Sequence, residues 1–188
     1  MKHINMETFA NGAFTEQINR ELKKVTENIQ DAPSGNRRGN RKDHMKTICF
    51  TVPGKPQGKA RARTFYNPKT KGMSSMTPEK TVLYENFIST CYLQAAGEER
   101  FTDTAYIRIR IQAFFEVPKS SSKVKKEAML NGEILPAKKP DIDNIAKAVL
   151  DALNSVAYRD DTQVVELQLR KQYSEKPRVE ICMEELEV

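Results

Sequence analysis

Apolar and polar positions along the chain follow two different periods, and the switches between them mark its elements. In FTEQINRELKKVTENI the apolar Phe14, Ile18, Leu22, Val25 and Ile29 recur every three or four residues, the stripe of one amphipathic helix. The next fourteen residues, DAPSGNRRGNRKDH, carry no periodic apolar positions and read as a flexible basic linker. From there the period becomes two. KTICFTV alternates Ile48, Phe50 and Val52 against Thr47, Cys49 and Thr51, a half-buried strand closed by Pro53 and Gly54. AYIRIRIQAFFEV sets Ile107, Ile109, Ile111 and Ala113 against Arg108, Arg110 and Gln112, a second strand ended by Pro118. Between them Thr77, Pro78 and Glu79 form a helix start and Gly97 a stop, with Leu83, Phe87 and Cys91 expected to face the core. SSKVKKEAML predicts a short helix stopped at Asn131 and Gly132, and a further helix runs from about Asn144 to Asn154. VVELQLRK and PRVEICME alternate on either side of QYSEKP and predict a C-terminal hairpin.

These elements predict an α+β fold, a small mixed-sheet domain with helices packed on the sheet. Residues 1–44 form a separate amphipathic helix plus basic linker, and residues 45–188 form the domain. Met45 stands where a shorter product could begin. The apolar stripe of the N-terminal helix needs a cover, which its own domain, a twin helix or an unidentified protein could supply.

Composition narrows the partners. A formal charge of +6, with a pI near 9.2, points to a polyanion such as nucleic acid. Cys49, Cys91 and Cys182 stand singly without CxxC spacing, and their odd number argues against a disulfide framework and for a reducing, cytoplasmic setting. No apolar run approaches the roughly 20 residues of a membrane span. His3 and His44 have no second ligand at a zinc-like spacing, and no histidine in the domain stands ready to activate a cysteine.

The chemistry concentrates in KKPDIDNIAKAVLDALN, residues 138–154. Pro140 is expected to hold the chain extended, so that Asp141 and Asp143 share a face while Ile142 points into the core. Asp143 is placed to cap the helix, and Lys147 lies one turn beyond it. Two close carboxylates repel unless a cation lies between them, and Mg²⁺ takes oxygen ligands of this kind. The plain alternative is that Asp143 only caps the helix and Asp141 is a solvated turn residue. A second acidic pair, Asp160 and Asp161 in YRDDTQVVEL, follows the helix and can return to its start.

Basic residues form the other half of the pattern. Lys55, Lys59, Arg61, Arg63, Lys69 and Lys71 occur with no acid among them, interleaved with Phe65 and Tyr66, as suits a loop that tracks phosphates and stacks on bases. Lys138 and Lys139 precede the acidic pair and are placed to hold the phosphates of a scissile strand. Arg170 and Lys171 extend the surface. The cluster of Lys119, Lys123, Lys125 and Lys126 reads equally well as an ordinary charged face.

In order, spacing and residue type, KKPDIDNIAKAVLDALN followed by VAYRDDTQVVEL resembles the signature of RusA-type Holliday junction resolvases, and PGKPQGKARAR resembles the start of their domains. The resemblance covers about residues 45–185. It implies a homodimer with Mg²⁺ or Mn²⁺ as cofactor that nicks four-way DNA junctions. It also implies metal ligands at Asp141, Asp143 and Asp161, with Asp160 beside them, and an active-site lysine at Lys147. Asp151 is expected to position that lysine. Two other readings compete: a junction-binding protein that does not cut, and a nuclease acting on flaps or forks.

Overall fold

KTICFTV does form a strand, β1 (Thr47–Pro53), whose burial alternates residue by residue. The structure is a computed structural model that describes residues 46–69 and 71–187. The chain divides into two units, Met1–Lys42 and Asp43–Val188. The helix and linker expected over residues 1–44 lie outside the described residues.

In chain order β1 is followed by β2 (Arg63–Asn67), β3 (Gly72–Met76), α1 (Glu79–Ala96), β4 (Tyr106–Glu116), α2 (Lys123–Leu130), α3 (Ile142–Leu153), β5 (Val164–Ser174) and β6 (Arg178–Leu186). The main sheet runs β1-β6-β4-β5. β6 pairs antiparallel with both neighbours, whereas β4 and β5 run parallel. The sheet is therefore mixed and the fold is α+β, as expected.

The C-terminal hairpin is corrected. β4 lies between β5 and β6, so the two alternating runs are not neighbours. β4 explains this, because its inward residues Ile107, Ile109, Ile111 and Ala113 are almost wholly buried and claim the sheet's interior. Burying one such large apolar side chain is worth about 1.5–3 kcal/mol. β5 becomes an edge strand, and Val165 and Leu167 stay exposed on it.

Helices cover one face of the sheet. Tyr84, Ile88, Cys91 and Tyr92 of α1 join the core, while Leu83 is only half-buried and Phe87 packs at the margin. The expected stripe is thus turned by about one residue. From α3 the core receives Ile145, Ala148, Val149, Ala152 and Leu153. Ser89 of α1 donates to the carbonyl of Ala152 at 2.6 Å and ties the two helices together.

Cys49 and Cys182 stand directly opposite in the β1–β6 register and are joined by a disulfide. This corrects the expectation of single thiols. They are 133 residues apart in sequence, and only the strand pairing brings them together. Cys91 is unpaired and buried, and burial pushes its thiol up to about 12. No helix among the described residues is long and apolar enough to cross a membrane.

Candidate active site

α3 begins two residues earlier than the sequence suggests, at Ile142, with Asp141 as its extended N-cap residue and Asp143 inside its first turn. The peptide bond between Lys139 and Pro140 is cis. Two expectations change with the earlier start. Only Asp143 lies on the helix, with Asp141 extended just before it, so the fully extended Asp141–Asp143 segment that was expected is not formed. Ile142, expected in the core, is 50% exposed.

The two carboxylates have different lysines for company. Lys147 lies 3.7 Å from Asp143 on the exposed helix surface, the one-turn pairing expected, and Asn144 donates to Asp143 at 3.3 Å. Asp141 acts instead on Lys171, which donates to the carbonyls of Lys138 and Pro140. Partial burial lowers the pKa of Lys171, Asp141 raises it and Lys138 lowers it further, for a net fall. Lys171 thus fastens the segment that leads into the site. Arg170, its neighbour on β5, pairs with Gln112 on the solvent face of β4, so the two do not form one surface.

A 3₁₀ turn, Asp161–Gln163, holds the second acidic pair. Asp160 accepts from the Thr162 N–H at 3.0 Å, and Gln163 completes a capping box and donates to the carbonyls of Thr102 and Ala105. Hydrogen bonds from Thr162, its side chain first and its N–H second, keep the Asp160 carboxyl below its ordinary pKa. The charge of Asp161, with those of Asp151 and Asp160, acts on the hydroxyl of Tyr158. Burial is the larger cause of that hydroxyl's raised pKa, and it donates to the Leu150 carbonyl at 3.0 Å. Among the described residues, no three Asp, Glu, His or Cys side chains gather as a metal-ligating group. The donors present are nonetheless all carboxylate oxygens, the chemistry a hard divalent cation takes, and such an ion needs only one or two of them.

Asp151 does not reach Lys147. It pairs with Lys59, whose ammonium also lies 3.2 Å from Glu85 of α1. Burial opposes the charge on Lys59, but the two carboxylates outweigh it and hold its pKa above the ordinary value. The Lys59 N–H donates to the Asn144 carbonyl at 2.8 Å. Next to it, a Cβ on Gly58 would stand 2.8 Å from the Pro140 Cβ and 3.0 Å from the Asn144 Cβ. The Gly58–Lys59 segment therefore packs directly under the start of α3, and Lys59 faces protein carboxylates.

The remaining basic loop is a hairpin. β2 and β3 form a separate two-stranded sheet that exposes Phe65, Tyr66, Met73 and Met76. Arg61 and Arg63 are exposed where the chain enters it, and Lys69 and Lys71 lie at its turn. The sequence carried a signal for it, since two five-residue runs, RTFYN and GMSSM, flank the turn-forming PKTK. Lys138 and Lys139 are exposed beside Pro140, and Lys55 pairs with Glu116 at 3.0 Å.

A family model described as Endodeoxyribonuclease RusA matches residues 53–184. The chain belongs to the RusA endodeoxyribonuclease family. The matched span takes in Gly58, Lys59, both acidic pairs and Lys147, and leaves out residues 1–52 and 185–188. A relative in Bacillus subtilis (strain 168), the uncharacterized protein YqaN, is 36% identical over 143 residues, which cover 76% of this chain and 99% of that protein. RusA membership makes the protein a nuclease of a family that acts on branched DNA. Sequence reasoning passed over Glu85, Glu116 and Gly58, because the first two are acids inside otherwise ordinary elements and the third is one glycine in a loop.

Proposed function

We propose that the protein nicks four-way DNA junctions symmetrically, as a homodimer, by metal-assisted hydrolysis of the phosphodiester backbone. The observation that carries this reading is the start of α3, where Asp141 and the exposed Asp143–Lys147 pair stand next to exposed Lys138 and Lys139 in a RusA-family chain. Clustered carboxylates facing a polyanion oppose binding, so their presence on a basic surface favours a cutting enzyme over a pure binder. Asp141, Asp143 and Asp161 would hold Mg²⁺ or Mn²⁺, which when bound supplies an acidified water and neutralises charge on the phosphate. Asp160 is already engaged in capping its turn, which favours Asp161 as the ligand of that pair.

Lys147 has a role of its own. Its ammonium projects from the exposed face of α3 and is placed to stabilise negative charge building on the phosphate oxygens. Lys138 and Lys139 hold the strand, while Lys171 fixes the carbonyls of the Lys138–Pro140 segment that presents them. Two-fold symmetry of a dimer would match a junction whose opposed strands are cut as a pair. Asp143→Asn tests the assignment: cleavage of a synthetic junction is lost while binding is kept or tightened, because the change removes a ligand and a charge near the phosphate. Cleavage at the wild-type rate by that variant would refute the site.

A further inference from the structure

A cavity of about 560 Å³ opens beside Pro140, between the β1–β2 loop at Lys55 and Pro56, the end of β4 from Phe115 to Lys119, and the Lys138–Pro140 segment. Its size falls in the range of sites that take small ligands or parts of larger ones. Four lysines line it, Lys55, Lys119, Lys138 and Lys139, with one acid, Glu116. The acid sits among the cations. Its carboxylate meets the Lys55 ammonium at 3.0 Å, and its pKa is lowered first by Lys55 and then, against a small burial cost, by Lys119 and Lys138. Lys138 rests over the rings of Phe115 at 5.7 Å and Tyr173 at 5.2 Å, so its amine is held at the cavity by aromatic faces.

Lysines that converge on a cavity repel one another, and a single carboxylate neutralises only part of their charge. The imbalance suits an anion with more charge and more acceptor oxygens than Glu116 supplies. We propose that this cavity binds a backbone phosphate of the DNA strand adjoining the cleavage site, and that the Glu116 carboxylate occupies the phosphate's place until DNA displaces it. The proposal rests on the endonuclease reading above and adds to it a defined subsite with its own internal competitor. Glu116 then weakens binding where a lysine strengthens it, although the two stand side by side.

The experiment is the salt dependence of binding to a fluorescently labelled synthetic four-way junction, with a chelator present to prevent cutting. Lys119→Gln and Lys138→Gln should each lower affinity and flatten the plot of log K against log salt by about one unit. Glu116→Gln should do the reverse, raising affinity several-fold and steepening the plot, whereas Glu116→Asp should behave as wild type. The proposal is overturned if Glu116→Gln binds no more tightly than wild type, since the acid would then only orient Lys55. It is equally overturned if the lysine variants leave the slope unchanged while wild type binds. Failure of the wild type itself to bind the junction would instead remove the endonuclease reading. Thermal melting of each variant confirms that the fold is intact, as all three side chains lie at the surface.

Discussion

Gly58→Ala places one methyl group at the closest approach between the β1–β2 loop and the start of α3. The added carbon would stand 2.8 Å from the Pro140 Cβ, 3.0 Å from the Asn144 Cβ and 3.4 Å from the Asn144 carbonyl carbon. Carbon atoms pack best at about 3.5–4.0 Å, so the loop and the helix start must separate by about 0.5–1 Å. Neither neighbour can swing aside, because one belongs to a proline ring and the other is fixed to the α3 backbone. The separation also stretches the 2.8 Å hydrogen bond from the Lys59 N–H to the Asn144 carbonyl. Overpacking of this kind costs about 1–3 kcal/mol. For a domain of this size each kcal/mol lowers Tm by about 2–4 °C, so melting should fall by about 2–12 °C. The functional effect should be larger than the thermal one. Asp141 and Asp143 ride on the displaced segment, and a misplacement of about 1 Å can cost about 100-fold in rate. Single-turnover cleavage of a synthetic four-way junction, well below the variant's Tm, reads the rate, and anisotropy with chelator reads binding. We expect a loss of about 10- to 100-fold in rate with affinity changed less than two-fold. A variant that cuts and melts like wild type would refute the claim that this contact positions the site.

Three further predictions follow from individual groups. Lys59→Met leaves Glu85 and Asp151 without their shared cation, which should destabilise the domain by about 1–3 kcal/mol in chemical denaturation yet leave the salt slope of DNA binding unchanged. Asp161→Asn should abolish cleavage, whereas Asp160→Asn should keep measurable cleavage and a Tm close to that of wild type, because asparagine caps a helical turn about as well as aspartate. Burial raises the Cys91 thiol from 9.0 to about 12 and the Tyr84 hydroxyl from 10.0 to about 12, so the folded state keeps protons that the unfolded chain releases. Their contribution is complete below about pH 9 and falls as pH rises towards 12; Tm measured across that range should decline from pH 9, and Cys91→Ala should delay the onset towards pH 10.

Strands β1 and β4 were legible because each buries one face cleanly, so a two-residue period survives in the sequence. α3 was legible for the same reason at its own period. Pairing was not legible. β5 and β6 look like a hairpin locally, and nothing in either run states that β4 lies between them. The opposed cysteines were hidden by the same gap, since register across 133 residues is a property of the sheet. At the site, residue types were readable and directions were not. Asp141 and Asp143 share a face only if the chain is extended, and the helix starting at Ile142 changes that. Charge counting could not show that Lys59 pairs with Glu85 and Asp151, or Lys55 with Glu116, because those acids lie far away in sequence.

The most direct test of the central claim is to incubate the full-length protein with a synthetic four-way junction, a fork and a linear duplex, each with Mg²⁺ and with chelator, and to map the cuts on both strands. The proposed function predicts paired, symmetric nicks on the junction that require the metal, with the duplex left intact. Junction binding without cutting in either condition, or cutting of the fork in preference to the junction, would contradict it.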